Sequence, residues 1–319
     1  MEKLSNCSID RKKKKICYTK SELLKIAEKY NELLKQGESK SLKNKSSYKL
    51  IGTFKYGPLK YSEKDKKKDL FNKLMKRFNC TDQSCLIDSF PERLFDEMYE
   101  LVFLPEGPSG KRTWLSNFDI NDVMKQLMRN FTDFFYIGTV TIDFEKYENP
   151  LKYFNLIEEL NEGKYKRFGA IVNTDKHTGS GIHWMSIFIE YFPKENLVSV
   201  EFYDSVSPKK QNKRFVQKEI KEFFDKIYKE LRNNVICNKK ICKKSNIERK
   251  INIISAQKKN SECGVYSIFF IYARLARIDF NFIDSNPISD DEMNAFRSVL
   301  FKNYQDLHLD INLLRKITD

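Results

Sequence analysis

No stretch of this 319-residue chain stays apolar for the ~18 residues that a membrane-spanning helix needs. The opening MEKLSNCSIDRKKKK holds no apolar core of the kind a secretory leader requires, so a soluble intracellular protein is expected. No internal repeat is present, which excludes solenoids and propellers. Cysteine is odd in number: seven, scattered from Cys7 to Cys263 without a disulfide-like framework, so reduced thiols are expected. Cys80/Cys85 and Cys237/Cys242 form two Cys-x4-Cys pairs. No histidine lies near either, and zinc normally needs four ligands, so neither a metal nor any other cofactor is expected. Histidine is scarce, with three, and tryptophan scarcer, with two. Any imidazole chemistry must therefore use His177, His183 or His308.

What the chain has in quantity is charge. Lys and Arg total 58 against 44 Asp and Glu, a formal net charge of +14. Non-specific contact with DNA is one reading of that surplus. The other is an ordinary solvated surface, because acidic residues are interleaved with basic ones almost throughout. The densest basic run, Arg11 to Lys15, falls in a segment expected to be mobile.

Two regions differ in pattern. Residues 1–104 are polar with helical periodicity, and are expected to form a mainly helical domain. Helices are predicted at Ser21 to Leu34 with Ser21 as cap, at Lys64 to Phe78, and at Pro91 to Phe103, with a turn at Cys80 to Cys85. The segment Pro105-Glu-Gly-Pro-Ser-Gly110 marks a boundary. Residues 105–319 are then an α+β domain. Strands are predicted over Tyr136 to Phe144, Phe168 to Asn173, His183 to Phe192, Leu197 to Asp204 and Ile251 to Ala256. Helices are predicted over Ile120 to Phe131, Lys213 to Leu231, Cys263 to Ile278, and Asp290 to Phe301 behind a Ser289 cap.

Cys263 opens an apolar helix in Ser-Glu-Cys-Gly-Val-Tyr-Ser-Ile-Phe-Phe. A first-turn position faces unpaired backbone amides and the positive end of the helix dipole, which favours a thiolate. Gly264 is expected to leave the backbone beside the sulfur uncrowded. The alternative is an inert, packed cysteine. His183 begins one predicted strand and Asp204 ends the next, separated by the turn Pro193-Lys-Glu-Asn196. A hairpin about that turn places Asp204 opposite His183 to Met185, close enough for a carboxylate to orient an imidazole. His177, in a polar loop, and His308, in the tail, read as structural. Gln257, six residues before Cys263, is placed to donate to an oxyanion beside the Cys263 amide. Trp184 follows His183, and Trp114 opens Trp-Leu-Ser-Asn. They are either core residues or the walls of a narrow slot that admits only small side chains such as glycine.

His183, Asp204, Gln257 and Cys263-Gly264 stand in an order that resembles the SUMO-protease-like cysteine peptidases, the Ulp1 and adenain group. The pieces GAIVNTDKHTGSGIHWMSIFIE, FYDS, QKKNSECGVYSIFFIYARL, WLSNFDINDVM and CTDQSC are similar to the polyprotein-processing proteases of asfarviruses and related large DNA viruses. The resemblance implies a papain-like core with a central mixed sheet flanked by helices, preceded by a helical arm. It implies Cys263 as nucleophile, His183 as base, Asp204 as its orienting acid and Gln257 in the oxyanion hole. Trp184 would cover the glycine pair of the substrate, with Trp114 opposite. Asfarvirus-type enzymes often carry Asn where Asp204 stands, which alters the electrostatics and keeps the role. The implied substrate is a viral polyprotein cut after Gly-Gly, in the virus factory of the host cytoplasm and the virion. Two other functions stay open: an isopeptidase removing SUMO or ubiquitin, and a basic nucleic-acid-binding core protein.

Overall fold

The computed structural model describes residues 6–11, 15–39, 57–90, 94–206, 209–210, 213–214, 216–238 and 241–304. The chain divides into two compact units, Met1–Pro105 and Glu106–Asp319. His308 and the tail lie outside the described residues, as does Pro91, the predicted start of a helix.

The first unit is helical, with α1 (Lys20–Ser39), α2 (Lys67–Phe78), α3 (Cys85–Asp88) and α4 (Asp96–Val102). Leu23, Ile26, Ala27 and Tyr30 of α1 and Leu70 and Leu74 of α2 are fully buried in one cluster, the apolar stripe that their spacing dictates. The cap of α1 is Thr19 rather than Ser21. Its hydroxyl accepts from Glu22 N at 3.2 Å and the Glu22 carboxylate accepts from Thr19 N at 2.7 Å, a reciprocal pair that Ser21 is too far inside the helix to make. Arg11, expected in a mobile stretch, is instead buried. It grips Glu22 with both guanidinium ends at 2.8 and 2.9 Å. The thiols also depart from expectation: Cys7–Cys17, Cys80–Cys85 and Cys237–Cys242 are disulfides, which leaves Cys263 as the free cysteine. Each bond closes a short loop whose ends already lie together. Cys237 and Cys242, for instance, face each other across a two-stranded ribbon.

The second unit is built on a five-stranded mixed sheet. Its elements run α5 (Asn117–Asn130), β1 (Phe134–Thr141), α6 (Pro150–Tyr153), α7 (Leu156–Glu162), β2 (Arg167–Asn173), β3 (Trp184–Phe192) and β4 (Leu197–Tyr203). There follow β5 (Lys209–Lys210), β6 (Lys213–Arg214), α8 (Lys218–Asn233), β7 (Ile236–Asn238), β8 (Ile241–Lys243), β9 (Asn246–Ile251), α9 (Cys263–Leu275), α10 (Phe280–Ser285) and α11 (Asp290–Leu300). The sheet order is β1-β2-β3-β4-β9, parallel at both outer pairs and antiparallel within. β2 is buried throughout and β3 at all but its two ends, which explains their nearly unbroken apolar sequence. Ala170, Val172, Ile187 and Ile189 join one core with Ile220, Phe223, Phe224 and Ile227 of α8. On the other face runs α9, buried along all its length, where Ser186 Oγ donates to Ser267 O at 3.0 Å. Its far end is held by Arg274, whose guanidinium meets the buried Glu201 carboxylate at 2.6 and 2.9 Å.

The hairpin follows the expected register. Ser186 pairs with Tyr203, which leaves Asp204 at the same open end as His183. Two elements differ. The last strand occupies Asn246–Ile251, not Ile251 to Ala256. β9 is an edge strand with a largely exposed polar face, so its sequence carries little apolar alternation, whereas Ile253 and Ile254 sit at the surface with their amides on the Asp284 carboxylate. The long helix begins at Lys218 because Lys213 and Arg214 pair in the ribbon with Lys209 and Lys210. The short helices α6, α7 and α10 were not expected. They rest on side-chain caps by Asn149, Asn155 and Asp279 rather than on apolar periodicity.

Candidate active site

Cys263 is the first residue of α9 and is 3% exposed. Glu262 occupies the cap position without a side-chain hydrogen bond to the helix, so no side chain competes for the first-turn amides. His183 precedes β3 and Asp204 follows β4. The imidazole Nε2 lies 2.7 Å from Asp204 Oδ1. Because an ionised carboxylate only accepts, Nε2 carries the proton and Nδ1 is the ring atom left to face sulfur. Asp204 is itself fixed: its Oδ1 also accepts from Val206 N at 2.9 Å, and its backbone makes a two-way bond with the Asn252 side chain at 2.9 and 2.8 Å. Asn252, fully buried, has no signal in the sequence that separates it from any other polar residue after a strand.

The electrostatics join the three groups. Burial by itself pushes the His183 imidazolium down. Hydrogen bonds with Asp204 and with Cys263, and the charges on both, outweigh it and lift the ring from 6.5 to about 9.

Gln257 is 4% exposed and held at both ends of its amide. Oε1 accepts from Ser205 Oγ at 2.7 Å, and Nε2 donates to Lys259 O at 2.7 Å. The Lys259 carbonyl can only accept, so the amide orientation is settled and one Nε2 proton remains for another acceptor. The residue lies six positions beyond the end of β9, in a loop rather than at a strand end.

Trp184 Nε1 donates to Leu115 O at 3.0 Å, which ties the start of β3 to the Trp-Leu-Ser-Asn segment. That segment leads into α5 through a Ser116 capping box with Asp119. Trp114, 45% exposed, and Trp184 line one cavity of about 550 Å³ together with Leu115, Asn173 and Tyr147. His177, read from sequence as structural, lines the same cavity. Its Nδ1 and backbone N both sit on the Asp143 carboxylate, at 2.8 and 2.9 Å.

One expectation is overturned beside the sulfur. A Cβ on Gly264 would lie 3.0 Å from Leu115 Cβ, so the glycine is filled space rather than open space. A Cβ moves only with its backbone, and the Leu115 backbone is pinned by Trp184. Gly264→Ala is expected to lower the urea-unfolding free energy by about 1–2 kcal/mol despite the better helix propensity of alanine. An unchanged midpoint would show that the Leu115 segment yields freely.

Residues 170–310 match the Ulp1 protease family, C-terminal catalytic domain. A thiol protease of Acanthamoeba polyphaga mimivirus is 29% identical over 301 residues, 92% of this chain and 91% of that protein. The SUMO-1 cysteine protease of African swine fever virus is 28% identical over 259 residues, 74% of this chain and 88% of that one. A crystal structure of the African swine fever virus protease superposes with a TM-score of 0.57 at 20% identity, covering 95% of this chain and 97% of that chain, a likeness of fold.

Proposed function

We propose that this chain is a Ulp1-type cysteine peptidase, and on that premise a viral endopeptidase that matures polyproteins by cutting after Gly-Gly-type sequences. The observation that supports the specificity is that Trp184, which directly follows His183 in the chain, shares a cavity with Trp114. Two bulky indoles at one cavity would favour a substrate backbone that carries no side chains. The setting proposed with it, on the viral origin of the relatives, is the virus factory of the host cytoplasm and the virion.

The chemistry is that of a thiolate–imidazolium pair. Cys263 Sγ attacks the carbonyl carbon of the second glycine, forming the C–S bond while the C=O electrons move to oxygen. The Cys263 amide and the free Gln257 Nε2 proton receive that oxyanion. Collapse breaks the C–N bond, and His183 delivers its proton to the leaving amine. The neutral imidazole then takes a proton from water, whose oxygen attacks the thioester. Collapse of the second tetrahedral species releases the acid and returns the pair to its starting charge. Asp204 holds the ring on its axis and favours its charged form throughout.

The slot is tested by Trp184→Ala, assayed on matched peptides with Gly-Gly or Ala-Ala before the cut. The preference for glycine should fall about tenfold or more in kcat/KM. An unchanged ratio rejects the slot. Vinyl-sulfone probes of SUMO and ubiquitin, set against the Gly-Gly-Xaa peptide, separate polyprotein cutting from isopeptidase activity. Labelling by a modifier at lower concentration than the peptide needs would favour the isopeptidase.

A further inference from the structure

The loop between Gln257 and Cys263 contains no helix or strand, yet it presents both proposed oxyanion donors. Such a loop needs external support if its donors are to stay aimed during the reaction. Ser205 holds its start, and much of the remaining support comes from α11. Asp290, the first residue of α11 and 5% exposed, accepts from two successive loop amides: Lys258 N and Lys259 N each lie 2.9 Å from its Oδ2. Its other oxygen lies 3.3 Å from Tyr266 Oη, one turn into α9 from Cys263. Two turns along α11, Arg297 is fully buried and its Nη2 donates to Ser261 O at 3.1 Å. Among the described residues its Nε and Nη1 have no hydrogen-bond partner, and the guanidinium lies over the Tyr304 ring. Leaving buried donors unpaired costs stability, so this arginine is a poor choice if packing were its only task.

We propose that Asp290 and Arg297 are positioning residues that hold the Gln257–Cys263 loop in register with the helix of the nucleophile, and so set the geometry of the oxyanion hole. The proposal rests on the reading of Cys263 and Gln257 given above. Asp290 fixes the peptide planes at 258 and 259, and the Lys259 carbonyl in turn orients the Gln257 amide. Arg297 fixes the carbonyl two residues before Cys263. Neither side chain would touch substrate. Each acts through the backbone that carries the donors.

The probe pair is a Gly-Gly-aldehyde and iodoacetamide. The aldehyde adds sulfur to its carbonyl carbon and places its oxygen where the oxyanion forms. Alkylation by iodoacetamide displaces iodide from carbon and develops no charge on a carbonyl oxygen, so it needs the sulfur and not the hole. Asp290→Ala, Asp290→Asn and Arg297→Lys are compared with wild type by peptide hydrolysis, aldehyde inhibition and alkylation of Cys263. Asp290→Ala should lower kcat about 10–100-fold with KM within about twofold. Asp290→Asn keeps an acceptor oxygen and should recover most of that loss. Aldehyde affinity should fall in step with kcat/KM across every folded variant, and Asp290→Ala and Asp290→Asn should be alkylated within about twofold of the wild-type rate. A folded variant that loses kcat but keeps wild-type aldehyde affinity overturns the proposal, as does a folded Asp290→Ala with wild-type kcat. If wild type itself cuts no Gly-Gly peptide but alkylates normally, the substrate reading has failed instead.

Discussion

Replacing Cys263 by alanine is expected to remove peptide turnover, by about a thousandfold or more, and to leave the fold in place. The size of the effect follows from what is deleted. Cys263 is the free thiol of the chain, sits at the head of α9, and interacts with the ring of His183. No other side chain at that position can attack the carbonyl, so the residual rate is that of water assisted by the donors alone. The cost to stability is small, because one buried sulfur is lost from a helix packed along its whole length, roughly 1 kcal/mol. Hydrolysis of a Gly-Gly-Xaa peptide, with far-UV circular dichroism as the control on folding, measures both. A folded alanine variant that retains a tenth of the activity would remove Cys263 from the chemistry.

The parts of this site that could be read from the sequence are those where local rules and long-range geometry coincide. The His183–Asp204 meeting was legible because one turn, Pro193 to Asn196, fixes a hairpin register, and a register places side chains across a sheet without further assumptions. The head of α9 was legible because Val265, Ile268, Phe269 and Tyr272 carry a helical period immediately after the cysteine. The mixed sheet and its flanking helices came with the family resemblance and from continuous apolar runs such as Phe168 to Asn173. Asn252, Asp290 and Arg297 were not legible as supports. Each binds backbone across 31 to 48 residues, and polar side chains that reach a distant loop leave no periodic trace. The disulfides were missed for a different reason. Composition spoke to the redox setting, while pairing depends on which loops bring sulfurs together. Gly264 shows the limit of reading a glycine alone: the space beside it is decided by Leu115, 149 positions earlier in the chain.

The second large effect is expected in the dependence on pH. His183 titrates near 9 in the folded protein, raised above its ordinary 6.5 by Asp204 and Cys263 against the opposing effect of burial. A raised value means that the charged ring persists below 9 and is lost as pH rises through about 9. The kcat/KM profile should therefore hold through neutral pH and fall on its basic side near 9. The same sign governs stability. The contribution of the His183–Asp204 pair is complete below the unfolded value of 6.5 and disappears as pH passes about 9. Removing the carboxylate with Asp204→Asn takes away one of the raising partners, so the basic limb should move to lower pH.

The pairing of sulfur with this ring is tested most directly by the rate at which iodoacetamide alkylates Cys263 at pH 6, in wild type and in His183→Ala. A thiolate stabilised by the imidazolium should react at least about tenfold faster in wild type, since the variant lacks the positive charge that favours the reactive form of sulfur. Equal rates in the two folded proteins would mean that sulfur and ring do not act together.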